Sequence, residues 1–243
     1  IYTDLAIFTS NKDIGADARH FFDSAFELHV PKTFKKIVTA PIKLHRRLIT
    51  LIRGEIKAAK KKKKKTRIVA KVNALVDEQV VEALYDASKA GVQVDLIVRG
   101  ACSLVPGVKG LSDNIRVISV VDRFLEHSRI YYFESAGVMY LSSADWMPRN
   151  FFSRLEIAFP VLDARIYRYI IDVLIPTYFA DSSRARELTP QGTWKQRAAR
   201  SRVKERERTR SQFVFQKLAD EAYADTPLFR HLEDGSLEAP KSK

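Results

Sequence analysis

The sequence predicts an α/β protein, on three observations. Short apolar, strand-like runs alternate with amphipathic helical stretches along most of the chain. With 243 residues of which 46% are hydrophobic, the chain can bury a substantial core and is too apolar for a disordered one. The most apolar long stretch, residues 166–179, is broken by Arg168, Asp172 and Pro176 and falls short of the ~20 residues that a membrane span needs.

The elements follow in order. Tyr2 to Thr9 reads as a strand, after which Asp13 caps a helix whose Ile14, Ala18, Phe21, Phe22, Ala25 and Phe26 share helical spacing. Lys36 to Ala40 is a short buried strand, Pro41 suits a first helical turn, and Leu44, Leu48, Leu51, Ile52 and Ile56 line one helical face. Ile68 to Val72 is the next strand, followed by an Asp77-capped helix that Gly91 stops. Val92 to Val98 then delivers Arg99 and Gly100 at its carboxyl end, where open α/β sheets bind ligands. Further strands are expected at Ile115 to Val120, Ser128 to Phe133, Val138 to Ser142 and Leu155 to Pro160. A helix is expected over Asp163 to Ala180, bent or ended early by Pro176. From Arg184 the chain turns polar and reads as an appended basic helix or tail.

The net charge of +13 suggests a polyanion binder, but the charge is localised. Lys57 to Arg67 carries eight basic residues and no acidic one, Lys195 to Arg210 nets +6, and the rest of the chain sums to −1. The single cysteine, Cys102, excludes an internal disulfide and a paired-thiolate zinc site, and is read as a small buried residue. No P-loop and no Gly-x-Gly-x-x-Gly turn is present. His20, His29, His45 and His231 lack metal-ligand spacing.

The stretch from Val92 to Arg154 is where chemistry concentrates. Period 2 places His127, Arg129 and Tyr131 on one face of a strand. An imidazole beside a guanidinium suits phosphate: the cation neutralises phosphoryl oxygens, and the histidine can hydrogen-bond them, move a proton or act as nucleophile. The competing reading is a salt-linked pair on an exposed strand with Glu126 nearby. Ser142, Ser143, Asp145 and Arg149 follow at a strand end, like the second half of a phosphate-binding arrangement.

Four strings carry a family resemblance: LIVRGACSLV (Leu96 to Val105), GLSDNIRVISVV (Gly110 to Val121), DRFLEHSRIYYF (Asp122 to Phe133) and YLSSADWMPRN (Tyr140 to Asn150). In this order they resemble the carboxyl-terminal domain of the type 1 polyphosphate kinases of bacteria. VNALVD (Val72 to Asp77) matches as well, and Tyr2 to Thr9 resembles the segment joining that family's two catalytic domains. The resemblance runs from Ile1 to about Leu188 and fades in the basic tail.

It implies a phospholipase D-like mixed sheet flanked by helices, with a basic helical carboxyl-terminal tail. It divides the chain into residues 1–30, the end of the preceding catalytic domain; 31–188, the domain proper, with a Lys-rich loop over 57–67; and 189–243, the tail. The phospholipase D signature, His-x-Lys and Gly-Ser-x-Asn, is altered here to His127-x-Arg129 and Ser142-Ser143-Ala144-Asp145, which argues against an ordinary phosphodiesterase.

The activity implied is reversible transfer of the terminal phosphate of ATP to polyphosphate, with Mg²⁺, through a phosphohistidine. Tyr2, Arg99 and His127 fall on the family's ATP-contacting positions, His127 also as an acid-base partner, and Arg129, Ser143 and Arg149 are further phosphate candidates. The family's phosphorylated histidine and magnesium ligands lie upstream of the residues matched here, so no metal ligand is assigned and the chain alone is expected to be inactive. The resemblance also implies a homo-oligomer; the single cysteine fits a reducing cytosol, the basic run Lys195 to Arg210 leaves peripheral membrane association open, and no specific nucleic acid is expected. A phospholipase D-like phosphodiesterase and a non-catalytic polyanion- or nucleic-acid-binding module stand as the alternatives.

Overall fold

In the sequence two strands are apolar almost without interruption, and in the computed structural model they are buried on both faces, as parallel strands covered by helices require. They are β3 (Arg67–Val72) and β4 (Gln93–Val98). The structure describes residues 2–26, 33–61, 65–200 and 204–224. β5 (Ile115–Val120) continues the parallel set beside β4. On the other side of β3 the strands turn antiparallel: β7 (Ile130–Phe133), β8 (Val138–Ser142), β9 (Glu156–Pro160) and β2 (Val38–Ala40) at the edge. The nine-stranded sheet has the order β11-β10-β5-β4-β3-β7-β8-β9-β2, with β10 (Ala185–Leu188) and β11 (Trp194–Gln196) completing the far edge. The mixed sheet flanked by helices is thus the architecture observed.

One face of the sheet packs on α2 (Leu44–Lys60) and α3 (Glu78–Lys89), burying Leu44, Leu48, Leu51 and Ile52 from the former and Val80, Leu84 and Ala87 from the latter. Asp77 caps α3 by accepting from the Val80 N–H at 3.0 Å, and Gly91, at φ +86°, ends it. The other face packs on α5 (Ala164–Tyr169), a π-helical turn (Ile170–Leu174), α6 (Ile175–Ala180) and α8 (Ser211–Ala224) through Ile170, Leu174, Ile175 and Tyr178. Alternation divides the strand residues accordingly: Ile68, Ala70 and Tyr131 face α2 and α3, while Val69, Ile130 and Tyr132 face the other layer. Asp95, the buried acid of β4, is held by Arg67 Nε at 2.6 Å and by Arg116. Burial works against its charge, but the two guanidinium groups outweigh it and hold the carboxyl below its ordinary range.

Several expectations need correction. The first strand spans only β1 (Tyr2–Thr3), paired in parallel with β6 (Leu125–Glu126) apart from the main sheet. Asn11, not Asp13, caps α1 (Lys12–Phe26), accepting from the N–H groups of Asp13 and Ile14 at 3.1 Å each. Of the apolar residues spaced along α1, Ile14, Ala18, Phe21 and Ala25 are half-buried, while Phe22 and Phe26 are 60% and 86% exposed. Pro41 lies in the turn before α2. Pro176 does not end its helix: the chain widens into the π turn just before it, and the helix continues to Ala180. Lys57 and Lys60 of the expected Lys-rich loop belong to the last turn of α2, and residues 62–64 lie outside the described set. After 188 the chain is more than a tail, for β11 extends the sheet and α8 covers its second face. The remainder of the tail, 201–203 and 225–243, lies outside the described residues.

Candidate functional site

Strand direction gathers the candidates at one end of the sheet. β3, β4 and β8 finish there, and β7, running antiparallel to β3, begins there. Beyond β3 the chain stays extended, and Leu75 bridges Cys102 on one side and Trp146 on the other. Those bridges fix the loop after β4, which holds Arg99 and Gly100, against the loop after β8, which holds Ser143 to Trp146.

Asn73 occupies the centre. Its Oδ1 accepts from Arg99 Nε at 2.9 Å, its backbone N–H donates to Asp145 Oδ1 at 2.6 Å, and its side-chain amide donates to the His127 carbonyl at 3.4 Å. Its own carbonyl accepts the Gly100 N–H at 2.8 Å. A Cβ at Gly100 would stand 2.9 Å from that carbonyl oxygen, so this approach requires glycine. Arg129 makes a forked contact with Asp145, Nε to Oδ1 at 3.2 Å and Nη2 to Oδ2 at 2.9 Å. Its remaining Nη1 lies over the His127 ring, 3.3 Å from Nδ1 and 3.2 Å from Nε2. His127 Nδ1 meets Asp4 Oδ2 at 2.9 Å, and the Tyr2 ring stands edge-on to the imidazole at 5.3 Å.

The structure therefore brings together Tyr2, Arg99, His127 and Arg129. It does not bring in the other two candidates. Ser143 Oγ donates to Glu156 Oε2 at 2.5 Å and accepts from the Ile157 N–H, and Arg149 is exposed on α4 (Pro148–Phe152), without an ion pair among the described residues. Glu126 does not join His127 and Arg129 either. It is buried on the opposite face, 3.3 Å from Lys71 Nζ, and accepts from Tyr178 Oη at 2.5 Å and Gln212 Nε2 at 2.8 Å. Lys71 also donates to Ser128 Oγ at 2.9 Å; burial pushes its ammonium below its ordinary range, with Glu126 opposing. This network locks the start of β7 from below.

Sequence reasoning passed over Asn73 and Lys71. Asn73 carried a signal, an amide at the end of an apolar strand inside a motif already singled out. Lys71 carried another, a lone cation in a strand buried on both faces. Among the described residues no group of three His, Cys, Asp or Glu side chains lies together as a metal would need, and no helix is long and apolar enough to cross a membrane.

The strand ends of a mixed α/β sheet thus gather two guanidinium groups and an imidazole around a neutral amide. Residues 37–212 match the family described as polyphosphate kinase C-terminal domain 2, and the chain belongs to that family. The polyphosphate kinase of Burkholderia lata is 45% identical over 201 residues, 82% of this chain and 29% of that protein. The polyphosphate kinase of Burkholderia vietnamiensis is 45% identical over 206 residues, 84% of this chain and 30% of that one. The crystal structure of the polyphosphate kinase from Porphyromonas gingivalis superposes with a TM-score of 0.80 at 34% identity, covering 90% of this chain and 33% of that one. A phospholipase D family member, Nuc from Salmonella typhimurium, is also a structural neighbour, at a TM-score of 0.45 and 12% identity. The chain thus spans about three-tenths of the length of the curated relatives it matches.

Proposed function

We propose that this chain supplies the ATP-phosphate half of a polyphosphate kinase active site, for reversible transfer of the terminal phosphate of ATP to polyphosphate. One observation carries the reading. The side chain of Arg99, only half-buried, is held by the neutral amide of Asn73 and has no acidic partner among the described residues, so its charge is oriented and not neutralised by them. Arg129, by contrast, is compensated by Asp145 and serves to fix the His127 ring. With His127 Nδ1 donating to Asp4, Nε2 is the atom that accepts a hydrogen bond or exchanges a proton at a phosphate. Tyr2, 64% exposed beside that ring, is available to the nucleotide.

Transfer needs a phosphoryl-accepting histidine, and His127 is not given that role, because it falls on an ATP-contacting position of the family. The family resemblance puts that histidine, and the ligands for Mg²⁺, in the part of the longer relatives that this chain does not match. Mg²⁺ there would neutralise charge on the transferred phosphoryl group. The chain by itself would bind ATP without making polymer, and homo-oligomerisation would come with the complete protein.

Equilibrium ATP binding to the 243-residue chain tests the reading. Arg99→Ala should weaken binding about tenfold, as expected for loss of a charge-assisted contact, and neutralising Lys60, Lys61 and Lys65 should not. The reverse order would mean a nonspecific basic surface, and radiolabelled ATP incorporated into acid-stable polymer by this chain alone would overturn the assignment of the acceptor elsewhere.

A further inference from the structure

A second basic feature stands apart from the strand-end site. A cleft of about 290 Å³ opens beside the edge strand β2, between the segment leading into it and the first turns of α2. Lys35, Lys36, Lys43, Arg46 and Arg47 line it, with Tyr140, and no acidic residue does. Lys35 pairs with Asp13 at 2.9 Å, and Arg47 donates to Tyr140 Oη at 3.3 Å. The side chains of Lys36, Lys43 and Arg46 have no acidic partner among the described residues. The nearby Asp17 carboxylate is committed to the backbone, accepting the N–H groups of Lys35, Lys36 and Ile37 at 3.0, 2.6 and 3.0 Å. It shapes the wall of the cleft, and its charge, like that of Asp13, falls on Lys35.

Three cations without an acidic partner among the described residues, crowded in one concave site, favour an anion between them. The aromatic residues there say which kind. The Tyr140 hydroxyl is held by Arg47 and its ring is buried, while the Phe34 ring packs against His20 and Phe21 at 5.6 and 6.5 Å. One ring is buried and the other half-buried against its neighbours, which leaves little face for stacking a base, the contact on which single-stranded nucleic acid binding relies. We infer that this cleft holds a segment of a linear condensed phosphate chain. The inference rests on the polyphosphate kinase reading but concerns a different place. β2 lies four strands from β3 in the sheet order, about 19 Å at the usual strand spacing, so the cleft would grip the polymer away from the reacting end.

The test is binding of long-chain polyphosphate to the 243-residue chain at about 0.1 M salt, where surface fields are only partly screened. Lys43→Glu with Arg46→Glu should weaken it about tenfold, while Lys57→Glu with Lys61→Glu, an equal change of charge at the far end of α2 and just beyond it, should cost about threefold or less. Lys43→Gln with Arg46→Gln should give a smaller loss in the same order, which guards against misfolding of the reversed pair. ATP binding should be unchanged in all three. Equal losses from the two reversed pairs, or a loss of polyuridylate RNA binding as large as that of polyphosphate, would overturn the cleft as a phosphate-chain site. If Arg99→Ala lowers ATP affinity while the Lys43 and Arg46 variants leave polyphosphate untouched, the cleft assignment alone fails. A wild-type chain that takes up neither ATP nor polyphosphate would bring down the kinase reading and the cleft together.

Discussion

Replacing Asn73 by alanine should uncouple Arg99 from the site while leaving the rest standing. The substitution removes the acceptor 2.9 Å from Arg99 Nε and two long contacts, to the His127 carbonyl at 3.4 Å and to Asp145 Oδ2 at 3.5 Å, but the backbone N–H that Asp145 accepts at 2.6 Å remains. Arg129 therefore stays clamped. A hydrogen bond to a charged group is worth about 1.5–3 kcal/mol net. Because Arg99 is only half-buried, about 1 kcal/mol is the sensible value, which is about fivefold in affinity. Calorimetric titration with ATP should show that fivefold loss for Asn73→Ala, and no further loss when the same change is made on Arg99→Ala. The double-mutant cycle isolates the coupling, since both residues touch and share one bond. An equal effect of Asn73→Ala with and without Arg99 would refute the claim that the amide acts by orienting that guanidinium.

Three further outcomes follow from the buried charges and the thiol. The Asp95 carboxyl is held below its ordinary range in the folded protein, so the stability it contributes is present above the unfolded value of about 3.9 and is lost as pH falls through the lowered folded one; Asp95→Asn should cost about 2 kcal/mol at pH 7 and flatten that acid limb in urea melts. Lys71→Met should destabilise the chain by about 3 kcal/mol by stranding Glu126, and adding Glu126→Gln should restore much of it; additive losses would deny the coupling. Burial pushes the Cys102 thiol up to about 11, so iodoacetamide at pH 8 should label the native chain about a hundredfold more slowly than the unfolded one. Equal rates would mean that the loop after β4 opens readily.

What was legible in the sequence divides along physical lines. β3, β4, α2 and α3 could be read because each carries its own signal: uninterrupted apolar runs, or a capped helix with a single apolar face. Arg99, His127 and Arg129 were legible because the site lies at strand ends, where period and chain direction place side chains. β10 and β11 were not, because the edge strand β11 and its neighbour β10 bury little beyond Ala185 and Leu188 and otherwise read as polar tail. Of the two outcomes expected at Pro176, an early end does not occur, because local chemistry was read without tertiary context. A single π turn absorbs the missing donor, and burial of Ile170, Leu174, Ile175 and Tyr178 holds the helix together past it. Asn73 escaped because its importance is relational, arising only when three loops separated in sequence close around it.

The total charge pointed to an anionic ligand, yet neither basic run supplies the cations of the candidate site. Arg99 and Arg129 belong to the near-neutral body, and what distinguishes them is their partners, an amide for one and a carboxylate for the other. The most direct measurement is phosphorus NMR of ATP titrated with the 243-residue chain, compared with the Arg99→Ala/His127→Ala variant. The phosphate resonances should shift and broaden with the wild-type chain and stay at their free positions with the variant. Resonances that move alike with both would contradict the claim that these two residues hold the phosphates of ATP.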